Sequence, residues 1–183
     1  YMDELIDILD INGNPTGTRE LKSKAHRLGL FHATAHIWLY TKTGEILLQQ
    51  RGQNKDTYPL LWDVSVAGHV GAGEKIELSA IREIQEEIGL HVEKHDLKKI
   101  GVFKSMQKHN NALMDNEFHH TYICELKVPL NRLKKQESEV ADLQLLPLVD
   151  FERELTDNLR AKQYVPHEHG YYKTIIAGIK SNL

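Results

Sequence analysis

Residues 4–11, ELIDILDI, are short, rich in isoleucine and leucine, and halted by NGNPTG, whose Asn-Gly and Pro-Thr-Gly are turn formers; this predicts a strand. The stretch 23–32, SKAHRLGLFH, has no clear period and reads as loop. Over 33–51 two apolar runs split by Thr-Gly predict a β-hairpin, and WDVSVAGHV (62–70) predicts a strand that ends in a tight glycine turn. From 75 to 88 apolar residues recur with the helical period, and Gly89 supplies a natural C-cap. Strands are expected at about 99–106 and 117–127. LVDFERELTDNLRAK and GYYKTIIAGIKSNL then read as two helices over about 148–183. Strands interleaved with helices predict a layered α/β (α+β) fold. No repeat, low-complexity tract or long linker interrupts the chain, so residues 1–183 are expected to form a single domain.

Composition narrows the function classes. With 40% apolar and 27% charged residues the chain has an ordinary globular make-up. A net charge of −3 provides no basic field for a nucleic-acid backbone, so no nucleic-acid partner is expected. The one cysteine, Cys124, can form neither an intramolecular disulfide nor a cysteine-built metal site, which suits a reducing compartment. No run approaches the ~18 apolar residues of a membrane helix. The first ten residues, YMDELIDILD, are acidic where a signal peptide would be basic and then apolar. The expectation is an untargeted, cytoplasmic protein without a membrane partner.

The segment GHVGAGEKIELSAIREIQEEIGL (68–90) carries the candidate chemistry. At about 100° per residue, Ile81, Ile84 and Ile88 share one arc of the predicted helix, while Glu83, Glu86 and Glu87 fill another and are expected to line an open face. Like charges three and four residues apart each cost a few tenths of a kcal/mol, and a bound cation reverses that sign. Carboxylate oxygens are hard ligands, which points to Mg²⁺ or Mn²⁺ shared with a phosphate. The loop Gly68–Gly73 lets the backbone approach a ligand, and it leads into a helix N-terminus that favours anions. Taken alone, the three glutamates read more readily as a solvated acidic face than as a metal site.

The whole frame is more specific. Gly68, five residues, Glu74, seven residues, Arg82-Glu83, then Ile84, Gln85, Glu86-Glu87, Ile88, Gly89 and Leu90 match the Nudix box of the Nudix hydrolase family without a departure. The resemblance implies the Nudix fold, a mixed β-sheet sandwiched between helices. It also implies Mg²⁺- or Mn²⁺-dependent cleavage of a diphosphate linkage in a nucleoside diphosphate joined to another group, or in a related small diphosphate compound. By position, Glu83, Glu86 and Glu87 would bind metal with the Gly68 carbonyl, Glu83 is a candidate general base, Arg82 orients the carboxylates and Glu74 is structural. Family members are often dimers, so a homodimer is a candidate assembly.

FHATAHIWLY, LWDVSVAGHV and MDNEFHHTYICEL further resemble the Nudix subgroup related to isopentenyl-diphosphate isomerase, over roughly residues 4–150. That isomerase uses a cysteine immediately before a Gly-His pair, and here the position is Ala67, which cannot shuttle a proton. Its other metal site is built from histidines and acids that correspond in order to His26, His32, His69, Asp115 and Glu117, although His26 lies one residue closer to His32 than in the family. An intact box with Ala67 favours a hydrolase on an isomerase-like scaffold. An isomerase and a nucleotide sensor without catalysis are the alternatives.

Other residues carry two readings each. Arg51, His69 and Glu117 are the candidate substrate contacts, although a strand-end arginine is commonly solvated and chance placement is easy among eleven histidines. His36 reads as an ordinary strand residue. Trp62 and Tyr58 could stack on a base or cover the core edge. Glu137 and Glu139 could supply a further metal ligand or base, or belong to the solvated charge run KKQESEVAD. YVPHEHGYY (164–172) gathers aromatics and two histidines that could shape a specificity pocket or a dimer contact.

Overall fold

The computed structural model describes residues 3–183. Its organising element is β3 (Phe31–Tyr40), whose FHATAHIWLY alternates two kinds of side chain. It runs antiparallel to β1 (Leu5–Leu9), to β4 (Glu45–Arg51) at one end, and to β6 (Val66–His69). Against β8 (Leu113–Glu125) it is parallel, from His32 beside Glu117 to Tyr40 beside Glu125. The remaining strands are β2 (Pro15–Leu21) on β1, β5 (Trp62–Asp63) and β9 (Val140–Pro147) on β4, and β7 (Leu97–Asn110), which forms a long hairpin with β8. Among the described residues these make one mixed nine-stranded sheet.

The alternation of β3 decides what covers each face. Ala35, Ile37 and Leu39 point to one side, where with Leu47 and Val66 they receive Ala80, Ile84 and Ile88 of α2 (Ile76–Ile88). Trp38 and Tyr40 point to the other, against Phe151 of α3 (Leu148–Thr156) and Tyr171, Ile175 and Ile179 of α4 (Tyr171–Lys180). Each fully buried isoleucine of this kind contributes roughly 1.5–3 kcal/mol over the exposed state. The result is a mixed sheet between helices, as expected. α2 also ends as its pattern predicts: Gly89 adopts φ 65°, and its N–H donates to the Gln85 carbonyl.

Several expectations are corrected. Residues 23–32 are largely α1 (Lys22–Leu28), stopped by left-handed Gly29, rather than loop. The helix has one buried residue, Ala25, so it shows no apolar stripe in the sequence. Pro15–Leu21 is an exposed edge strand rather than turn alone; pairing with β1 holds it. The strand expected over 62–70 is broken at Val64-Ser65. There the Ser65 hydroxyl donates to the Leu47 carbonyl (2.5 Å) and accepts from the Leu39 N–H (2.8 Å), bridging β3 and β4 where they diverge. β9 adds a strand beyond those expected, and the helix expected over 148–162 stops at Thr156, with a single turn at Arg160–Gln163. The carboxylates of α2 do not share an open face either: Glu83 and Glu87 are buried beside Ile84 and Ile88, and only Glu86 is exposed.

Near the start of β3 the face that carries Trp38 turns polar, with His32, Thr34 and His36 in succession; beside them in register β8 offers Glu117, His119 and Thr121. Cys124, further along β8, is fully buried, and burial pushes its thiol up to about 12.

Candidate active site

The glycine at 68 is where β6 meets α2. A Cβ there would lie inside the Glu83 carboxyl group and 2.5 Å from its Cγ, so only glycine lets this carboxylate rest against the strand. Arg82 holds the surrounding carboxylates in one clamp. Its Nε and Nη2 donate to the two Glu74 oxygens (3.1 Å each), Nη1 to Glu83 (2.7 Å) and Glu86 (3.1 Å), and Nη2 also to the His69 carbonyl (3.1 Å). Glu74 in turn accepts from the Gly71 N–H (3.0 Å), which pins the glycine loop. Burial raises the Glu74 carboxyl, but Arg82 and that N–H outweigh it and hold it below its usual value. A lysine cannot reproduce this planar, many-armed contact. Arg82→Lys is therefore expected to lower activity by about 10–100-fold through misplaced carboxylates, as loss of a ligand-orienting partner does elsewhere. Steady-state kinetics at saturating Mg²⁺ checks this.

Glu87 lacks such a clamp. It accepts from Gln49 Nε2 (2.7 Å), and burial pushes its carboxyl up to about 8 against the opposing Gln49 hydrogen bond, with Glu83 raising it further and Lys55 lowering it. Burial also raises Glu83, with Arg82 opposing it. Two buried carboxyls held above their usual range, next to a cradle no side chain could share, fit a divalent cation, which would stabilise their charged forms. Glu139 approaches from the neighbouring loop as the ion-pair partner of Lys55, while Glu137 is exposed.

A second cluster lies on the opposite side of β6. Strand register sets His32 beside Glu117 and His69 beside Thr34, and α1 delivers His26. His26 Nε2 stands 3.2 Å from His69 Nε2. Glu117 Oε1 is 3.4 Å from His32 Nε2 and 3.6 Å from His69 Nε2. His32 Nδ1 donates to the Leu30 carbonyl (2.9 Å), leaving its buried Nε2 without a hydrogen bond. Asp115 sits behind, 3.9 Å from His26 and hydrogen-bonded to His109 (2.8 Å). The spacing expected from sequence thus gathers in space, despite the one-residue shift at His26. Burial and the neighbouring imidazoles lower His26 to about 4, so it is neutral and able to ligate at neutral pH.

Both regions border a cleft of about 260 Å³ that runs from Lys22 and His26 over Ala67 and Gly68 to Arg51, Lys55 and Tyr58. The box carboxylates are not in its lining; the cleft reaches the box at Gly68, and its Lys55 pairs with Glu139 of the loop before β9. Arg51 faces the cleft but is tied to the Thr57 carbonyl (2.9 Å), the Thr57 hydroxyl (3.0 Å) and Asp63 (3.3 Å). Tyr58 lines it with its hydroxyl on Gln107 (2.8 Å), whereas Trp62 packs against the core. Gln49, Lys55 and His119 carry no expectation from the sequence, whereas His167 belongs to the YVPHEHGYY segment expected to shape a pocket or a contact. A signal for His36 and His119 was present: polar residues at every second position of two otherwise apolar strands mark a polar stripe inside a sheet.

A glycine loop and carboxylate helix docked beneath a mixed sheet, with a basic-rimmed cleft beside them, define a Nudix-type site. The chain belongs to the Nudix family: the NUDIX domain model matches residues 30–167. An uncharacterized Nudix hydrolase of Clostridium acetobutylicum is 30% identical over 203 residues, covering 97% of each chain. Nudix hydrolase 3 of Arabidopsis thaliana is 33% identical over 170 residues, 91% of this chain, which spans only 22% of that protein's length. Isopentenyl-diphosphate Delta-isomerase 2 of Photorhabdus laumondii is 31% identical over 179 residues, covering 97% and 93%. In structure the chain is similar to DR0079 from Deinococcus radiodurans, with TM-score 0.67, 18% identity and coverage of 87% and 97%.

Proposed function

We propose that the protein hydrolyses a diphosphate linkage in a small nucleoside diphosphate-type or related compound, using Mg²⁺ or Mn²⁺ held by Glu83, Glu86, Glu87 and the Gly68 carbonyl. The observation that carries this reading is the Arg82 clamp, with Glu83 set into the space above Gly68 and the buried Glu87 carboxyl beside it held above its usual range. Such an ion, when bound, would neutralise the diphosphate oxygens and acidify a water enough for it to ionise near neutral pH. Glu83 would be the base that takes a proton from the attacking water, and Arg82 holds that carboxylate in place. Lys22, Arg51 and Lys55 on the cleft wall receive the phosphates. The free, buried Cys124 suits a reducing compartment such as the cytoplasm.

A second reading, isomerisation of isopentenyl diphosphate, is favoured by the gathered His26, His32, His69 and Glu117. Ala67 argues against it, since a methyl group carries no proton. Product analysis on a mixed panel of phosphate compounds that includes isopentenyl diphosphate separates the two: hydrolytic products are expected, and accumulation of dimethylallyl diphosphate would favour the isomerase.

A further inference from the structure

We propose that His36, His119, His167 and Glu168 form a separate cation site in the cleft floor, suited to a zinc-type ion rather than to Mg²⁺. One ring nitrogen from each of the three histidines lies within 4.8 Å of the others. In each ring one nitrogen is already anchored, which leaves the other for a ligand: His36 Nδ1 on the Tyr171 hydroxyl (2.7 Å), His119 Nε2 on Glu117 Oε2 (2.9 Å) and His167 Nε2 on Asp63 Oδ1 (2.8 Å). This is the outer support that metal-bound imidazoles characteristically have, fixing the tautomer and aiming the free nitrogen.

The groups left over point to a ligand. His119 Nδ1, His167 Nδ1 and both Glu168 oxygens are buried without a hydrogen bond. Glu168 Oε1 comes to 3.1 Å from His119 Nδ1, and Oε2 to 3.9 Å from His167 Nδ1, close but misdirected for hydrogen bonding. Ligands on one tetrahedral zinc, with bonds of about 2.0–2.1 Å, stand about 3.3 Å apart, which these separations bracket. A proton shared between His119 and Glu168 satisfies that pair but leaves His167 Nδ1 alone. Imidazole-rich donor sets select zinc and its neighbours, whereas Mg²⁺ takes oxygen. An ion here would fasten the segment carrying His167 and Glu168 to β3 and β8. Through Glu117, whose other oxygen faces His32 and His69, it would also touch the neighbouring cluster.

The test is titration of chelator-stripped full-length protein with Co²⁺ in excess Mg²⁺, read by visible absorption, for wild type, His69→Gln, His167→Gln and Glu168→Gln. Wild type should take up two histidine-dependent equivalents and His69→Gln one. His167→Gln and Glu168→Gln should each lose the equivalent that His69→Gln keeps. Asp63→Asn should weaken it by about 10–100-fold, as outer-partner loss does. X-ray absorption of Zn²⁺-loaded His69→Gln needs no further variant and should show imidazole scattering at about 2.0–2.1 Å. No Co²⁺ on His69→Gln, or uptake unchanged by both His167→Gln and Glu168→Gln, overturns the proposal.

Discussion

Replacing Glu87 by glutamine is expected to remove most activity while making the metal-free protein more stable at alkaline pH. The folded-state value of about 8 lies above the 4.5 of an ordinary glutamate, so the stability linked to this group is full below about 4.5 and is lost as pH rises through 8. Above that, the native state carries a buried charge that glutamine lacks, worth on the order of 5 kcal/mol. Glutamine keeps the shape and a hydrogen bond to Gln49. The urea midpoint of Glu87→Gln should therefore rise by about 1–2 M at pH 9 and barely move at pH 5. Saturating Mg²⁺ should narrow the difference by stabilising wild type selectively. Turnover should fall by about 10²–10⁴-fold. Equal midpoints at pH 9 would mean that Glu87 is not held as a buried carboxyl.

The second large effect is expected from Gly68→Ala. Its φ is ordinary, so the cost comes from space: the new methyl would occupy the position of the Glu83 carboxyl group. Either Glu83 leaves the cradle or β6 and α2 part, at a cost of about 1–3 kcal/mol for overpacking. Both outcomes displace a proposed metal ligand by more than the ~1 Å that suffices to lose about 100-fold in rate. Gly101→Ala is the control, because its Cβ would make ordinary contact with Phe103 at 3.6 Å and should leave kinetics unchanged. Paired kinetics and thermal unfolding of the two variants check the argument.

What could be read from the sequence is what depends on local pattern. The box is a fixed spacing on one helix, and Gly89 ends it by a left-handed cap that few other residues favour. The strand β3 showed its apolar character directly. The burial of Glu83 and Glu87 could not be read, because it follows from how α2 lies across β4 and β6, and a helical wheel contains no partner. α1 and β2 were missed for a related reason. The first buries only Ala25 and the second is an exposed edge with Pro15 and Gly17, so neighbours rather than periodicity hold them. β9 follows a charge run that masked its alternation. The pairing of His32 with Glu117 arises from the parallel register of strands some eighty residues apart; the order of the residues suggested it, and the register supplies the cause.

The most direct measurement is turnover of nucleoside di- and triphosphates, dinucleotides, nucleotide sugars and isopentenyl diphosphate with and without Mg²⁺ or Mn²⁺, for wild type beside Glu83→Gln. Hydrolysis that requires the ion and collapses in the variant is the predicted result. Tight binding of a panel member without any turnover, or hydrolysis that survives both chelation and Glu83→Gln, would contradict the account.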